Sequence, residues 1–163
     1  MQHATIEVNG QRFHVASQGE AAHLLLFVHG FPEFWYAWRA QLEAFGDQYR
    51  AVALDMRGYN LSSKPGDARD YRAKYLVEDL RQLIAHFGAE RVSVIAHDWG
   101  GAVAWNLAAQ HPDLLNHLVI INAPHPVTFA RELQHNPAQQ QASQYMNLFR
   151  SDKAERVLSE DNY

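Results

Sequence analysis

Apolar and polar positions alternate at the start of the chain and then stop alternating. Thr5-Ile6-Glu7-Val8 and Arg12-Phe13-His14-Val15 each repeat with a period of two, and Asn9-Gly10 between them is the dipeptide favoured in a type I′ turn. The pattern predicts an antiparallel hairpin. Continuous apolar runs follow: Leu24-Leu25-Leu26-Phe27-Val28, Ala51-Val52-Ala53-Leu54, Val92-Ser93-Val94-Ile95-Ala96, and the stretch from Leu115 to Ile121. Such runs suit strands covered on both faces in a parallel sheet. Between them the spacing turns helical. Tyr75, Leu76, Leu80, Leu83, Ile84 and Phe87 recur every three or four residues, and Gly88 stands where a C-capping glycine would. A second helical stretch over 103–109 stops at His111-Pro112. Strands alternating with helices imply βαβ units, so the fold class is α/β: a doubly wound, mostly parallel sheet led by a hairpin.

From Pro124 onward the pattern changes. Pro126, Pro137 and Gln139-Gln140-Gln141 interrupt it, and Tyr145-Met146-Asn147-Leu148-Phe149 then reads as an amphipathic helix. Residues 1–125 are therefore expected to form the α/β part, and 126–163 a separate helical segment. At 163 residues the chain can bury one sizeable core.

Composition narrows the choice of function. Apolar residues make up 47% and charged residues 20%, which is ordinary globular usage. Lys plus Arg number 14 and Asp plus Glu 18, and a net charge of −4 gives no field to attract nucleic acid or anionic lipid. Cysteine is absent, which excludes a disulfide framework and thiolate metal ligation. Met1-Gln2-His3-Ala4-Thr5 has no basic and apolar leader pattern, and the longest strongly apolar run, Leu24 to Val28, is far too short for a span. The expectation is a soluble cytoplasmic protein, with no nucleic-acid or membrane partner, no cofactor and no metal.

The chemistry concentrates in Val92-Ser93-Val94-Ile95-Ala96-His97-Asp98-Trp99-Gly100-Gly101. A strand runs into a helix with small residues at Ala96 and Gly100 around Asp98. This is the spacing of a nucleophile elbow, a strained turn that lifts one side chain above the sheet edge. The small residues let strand and helix backbones approach each other. At the start of the helix, the Trp99 amide would serve as an oxyanion donor. A carboxylate of ordinary affinity is ionised at pH 7 and needs no base to attack a saturated carbon, although opening the resulting ester does need one. The plainer alternative is that Asp98 merely caps the helix.

Two more loops follow strands. His29-Gly30-Phe31-Pro32-Glu33 could supply a second oxyanion amide from Phe31, with Pro32 shaping the loop through a cis bond. His29, directly after a buried strand, reads as a structural hydrogen-bonder rather than a base. Asp55-Met56-Arg57-Gly58-Tyr59-Asn60-Leu61-Ser62 reads as a loop whose Asp and Arg bond backbone groups.

These three motifs together resemble the α/β-hydrolase superfamily, in its epoxide hydrolase and haloalkane dehalogenase branch, over nearly the whole chain. The resemblance implies that Asp98 is the nucleophile, that the Phe31 and Trp99 amides form the oxyanion hole, and that Pro32 and Trp105 belong to the substrate pocket. It also implies a helical cap beginning after residue 125, with Tyr145 as the proton donor to an epoxide oxygen. The implied substrate is a small hydrophobic epoxide, or a halide displaced by the same aspartate. Phe31 stands where dehalogenases usually carry Asn or Glu. Trp99 and Ala102 stand where haloacid-cleaving relatives carry arginines, so an anionic haloacid has no clamp.

The sequence departs from the branch at Asn60, where glycine is usual, and Asn tolerates a left-handed backbone. The branch places its relay acid and catalytic histidine on later loops, and the strand-end position that some relatives use for the acid is Asn122 here. None of the ten histidines matches the family base, and Asp161-Asn162-Tyr163 falls inside the expected cap. The expectation is a truncated chain that lacks an identifiable base. Its uncovered sheet edge would invite pairing into a homodimer, and a non-catalytic scaffold is the rival reading.

Overall fold

The hairpin and the four apolar runs assemble into one six-stranded sheet in the computed structural model, which describes residues 1–160. The strands are β1 (Gln2–Val8), β2 (Gln11–Gln18), β3 (Leu24–Val28), β4 (Arg50–Leu54), β5 (Val92–His97) and β6 (Leu115–Ile121), in the order β1-β2-β4-β3-β5-β6. β1, β2 and β4 pair antiparallel, whereas β4, β3, β5 and β6 run parallel. At the hairpin tip Asn9 and Gly10 both take positive φ, 50° and 67°, as a type I′ turn requires.

The helices explain why the central runs do not alternate. α2 (Ala73–His86) and α3 (Asp98–Gln110) cover one face, where Leu80, Leu83, Ile84, Val103 and Leu107 pack with Leu24, Leu26, Val28, Val52 and Val94. On the other face, Trp38 and Leu42 of a 3₁₀ turn (Trp35–Trp38) and α1 (Arg39–Phe45) pack with Leu25, Phe27, Ala51 and Ala53. Neighbouring residues on β3 thus point into two different apolar layers.

β6 departs from the expectation of a strand covered on both faces. Among the described strands its only neighbour is β5, and it leaves Val119 and Ile121 48% and 39% exposed. The reason is positional: an edge strand gains cover only from what packs beyond it.

The chain divides into two compact units, one ending at Pro124 and one starting at His125. The described residues of the second unit form four short helices, α4 (Pro126–His135), α5 (Pro137–Ala142), α6 (Gln144–Phe149) and α7 (Ala154–Ser159). The Asn136 side chain caps α5 by accepting from the Ala138 and Gln139 amides. The expected end of the helical segment, 161–163, lies outside the described residues.

Candidate active site

The chain leaves β3 for β4 on one side and later adds β5 and β6 on the other, so the strand order reverses at β3 and β5. A crevice opens there at the carboxyl ends of the strands, where open α/β sheets bind ligands. The loop after β3 carries His29 to Glu33, and α3 begins at once after β5 with Asp98.

Asp98 holds φ +48°, in the left-handed region that few side chains other than Asn and Asp tolerate. His97 before it is extended and occupies the N-cap position without a side-chain cap bond. The Asp98 carboxylate therefore does not cap its own helix. Its Oδ1 instead accepts the Phe31 N–H across the crevice at 3.0 Å. Glycine makes this approach possible. A Cβ on Gly30 would lie 2.6 Å from the Asp98 Cβ, and one on Gly100 would lie 2.3 Å from the His29 carbonyl oxygen. The Phe31–Pro32 bond is cis. Trp99 falls in the first turn of α3, where backbone N–H groups have no acceptor within the helix.

Buried polar groups fix the surrounding loops. His29 donates from Nδ1 to the Gly30 carbonyl (2.7 Å) and accepts the Met56 N–H at Nε2 (3.0 Å), which sets its tautomer. Burial lowers its pKa, against the raising effect of the Gly30 carbonyl, so His29 is a neutral brace between two loops. Glu33 Oε2 accepts the Gly30 N–H (3.2 Å) and meets His97 Nδ1 at 3.0 Å, so His97 is turned toward the loop after β3. Asp55 accepts the Trp35 N–H (2.9 Å), and Arg57 donates to the Asp70 carbonyl (3.0 Å), as the loop reading expected. Each also binds side chains that the sequence did not reveal. Asp55 Oδ2 meets His14 Nδ1 and the Asn60 amide, both at 2.8 Å, and Arg57 forms a two-pronged pair with buried Asp79.

Phe31, Pro32 and Trp99 line one open pocket of about 580 Å³, together with Phe34, Tyr59 and Leu76 among others. The Tyr59 ring stands edge-on to His29, with centroids 4.7 Å apart. Its hydroxyl is pushed up to about 12, mainly by burial and secondarily by the charge on Asp98, so it stays a neutral donor. Tyr59 was not singled out from the sequence. The available signal was its position in the loop that follows β4, on the carboxyl side of the sheet.

Trp105 lies farther along the helix that begins at Asp98. It sits two turns into α3, and its indole N–H donates to the Ala123 carbonyl at 3.3 Å. Tyr145 lies in the second unit on α6, 55% exposed, with its ring edge against Phe149 at 5.6 Å. Several histidines have partners away from Asp98: His3 with His14, and His23 and His117 with Ser93. Among the described residues, no group of three or more His, Asp or Glu is arranged to hold a metal ion, and no helix is long and apolar enough to cross a membrane.

Asp98 thus stands on a tight strand-to-helix turn at the switch point of a mixed α/β sheet, and comparison with known proteins places the fold. The chain belongs to the alpha/beta hydrolase fold family, which matches residues 23–159. Within that family its similarity runs to epoxide hydrolases. It is 42% identical over 161 residues to Epoxide hydrolase 2 of Caenorhabditis elegans, covering 98% of this chain and 45% of that protein. It is 42% identical over 160 residues to Epoxide hydrolase 3 of Xenopus tropicalis, covering 96% and 44%. A crystal structure of Bacillus megaterium epoxide hydrolase in complex with an inhibitor superposes with a TM-score of 0.94 at 42% identity, covering 98% of this chain and 56% of that one. The chain thus spans about half the length of the curated relatives it matches.

Proposed function

We propose that Asp98 opens epoxides by forming a covalent ester, as the first half of hydrolysis to a diol. A carboxylate oxygen of Asp98 attacks a ring carbon, and the carbon–oxygen bond of the strained ring breaks. The departing oxygen takes a proton from a phenol, a role we assign to Tyr145. In the second half, water adds to the ester carbonyl and the Phe31 and Trp99 amides hold the oxyanion. Collapse of that intermediate releases the diol and restores the carboxylate, and a base must accept the proton from the attacking water. We assign that base to no residue described here.

The observation that carries this reading is the 3.0 Å bond from the Phe31 N–H to Asp98 Oδ1, with Asp98 held left-handed and its bonded neighbour Phe31 and next residue Trp99 lining an open pocket. The names of the similar proteins point to epoxides as the substrate class. Displacement of halide by the same carboxylate is the nearest alternative in chemistry. A second copy pairing along the open edge of β6 is the partner that the sheet suggests.

The test is intact mass after incubating the purified chain with aryl and alkyl epoxides and with chloroalkanes. The expected result is a gain of one whole epoxide at the Asp98 peptide, absent in Asp98→Ala and lost slowly. Adducts from chloroalkanes alone would favour halide displacement. No adduct from a folded sample would leave a scaffold without chemistry.

A further inference from the structure

Behind the pocket, three side chains form a line from solvent to a buried carboxylate. Asp55 is fully buried, and its Oδ2 meets His14 Nδ1 at 2.8 Å. The other nitrogen of His14, Nε2, meets Nδ1 of exposed His3 at 3.1 Å. The two imidazoles lie within 12° of one plane with centroids 5.2 Å apart, which is end-to-end hydrogen-bonding geometry. Trp35 covers both rings edge-on, at 4.8 Å from His3 and 6.2 Å from His14. Asp55 in turn grips both loops that flank the crevice, through the Trp35 N–H on one side and the Asn60 amide on the other.

We propose that Asp55, His14 and His3 form a positioning relay, in which the exposed His3 controls how firmly Asp55 holds the two loops beside Asp98. For the reaction at Asp98 this rests on the reading given above. These residues are positioning groups and none of them touches the reacting atoms.

Counting hydrogens fixes the state of the relay. An ionised Asp55 can only accept, so His14 carries its hydrogen on Nδ1 and offers Nε2 as an acceptor. His3 must then carry its own hydrogen on Nδ1. The geometry lets one proton reaching His3 Nε2 be passed inward, the His3 Nδ1 hydrogen moving to His14 Nε2 beside Asp55. Both hydrogen bonds survive that transfer. A second proton has no place, because both facing nitrogens would then bear hydrogens. Ionisable groups on the surrounding elements include Glu7 opposite Arg12 on the hairpin, Tyr36 on the 3₁₀ turn, Arg39 bound to Glu43 on α1, Arg50 on β4, and Arg57, Tyr59 and Lys64 on the loop that follows Asp55.

Long-range proton–nitrogen NMR spectra of the whole chain at alkaline pH test the assignment. Both His3 and His14 are expected as Nδ1–H tautomers, whereas a free imidazole favours Nε2–H. In His3→Ala the Trp35 backbone and Asn60 side-chain amide signals should shift, and the rate of adduct formation at Asp98 should fall about fivefold, the scale of one hydrogen bond. His3→Gln, whose amide can donate to His14 Nε2, should restore both. An Nε2–H tautomer on either ring, or unmoved amides and rate in His3→Ala, overturns the relay. If the parent chain forms no adduct at all, the proposed function fails instead, and the tautomers and amide signals still decide the relay.

Discussion

The two ends of the parallel strands carry similar residues and offer different chemistry. At the amino end, Ser93 Oγ lies 2.9 Å from His23 Nε2 and 3.1 Å from His117 Nδ1, so a hydroxyl sits between two potential bases. At the carboxyl end, Asp98 has no histidine bonded to it in the described contacts, only a backbone amide and a helix start. By side-chain inventory alone, Ser93 looks better equipped. It nevertheless lies within a regular strand, 6% exposed, and no helix begins beside it. A nucleophile and a base do not make a site unless fixed donors point at the place where charge develops.

Several changes would break or sharpen that contrast. The largest effect belongs to Gly30→Ala, whose new methyl must sit 2.6 Å from the Asp98 Cβ. Adduct formation at Asp98 should fall about a hundredfold or more, the scale set by misplacing a reacting group by an ångström. Ser93→Ala at the opposite end should leave that rate within about twofold, since one hydrogen bond far from the crevice changes little there. A Ser93→Ala chain that lost alkylation would move the chemistry to the wrong end of the sheet.

Next comes the ion pair that pins the loop after β4. Arg57 and Asp79 are 4% and 2% exposed, and Arg57→Met leaves Asp79 a buried charge with only Asn9 bound to it. Urea unfolding should show a loss of about 3–5 kcal/mol. A loss below about 1 kcal/mol, the range of exposed pairs, would mean that water reaches Asp79 readily.

The smallest effect is a pH dependence. Burial lowers the His29 pKa in the folded chain, so the unfolded chain binds a proton first as pH falls. His29 therefore costs no stability above the unfolded value of about 6.5 and destabilises the fold progressively below it. Melting temperature should drop from pH 7.5 to pH 5.5, and His29→Asn should flatten that drop while lowering the plateau. An equally steep drop in His29→Asn would assign the effect to other groups.

Much of the framework was legible because it rests on local signals. Asn9-Gly10 marked a turn that only positive φ can make, and the run from Leu24 to Val28 marked a strand buried on both faces. Gly100 beside Asp98 marked a close approach, and the structure shows it meeting the end of β3. The pairings that join distant segments were not legible. His14 with Asp55 and Arg57 with Asp79 bridge 41 and 22 residues, and no spacing rule connects them. The exposed stripe on β6 was hidden for a related reason, since an apolar run reads alike in a central and an edge strand.

The left-handed backbone of Asp98 sets the chain's durability against its chemistry. At φ +48° a glycine would relax the turn, but it would take the carboxylate out of the crevice. Selection for thermal resistance alone would therefore tend to erase this aspartate. An aspartate in a conformation that disfavours most side chains is the kind of compromise expected where a protein gives up melting temperature to hold a carboxylate in place.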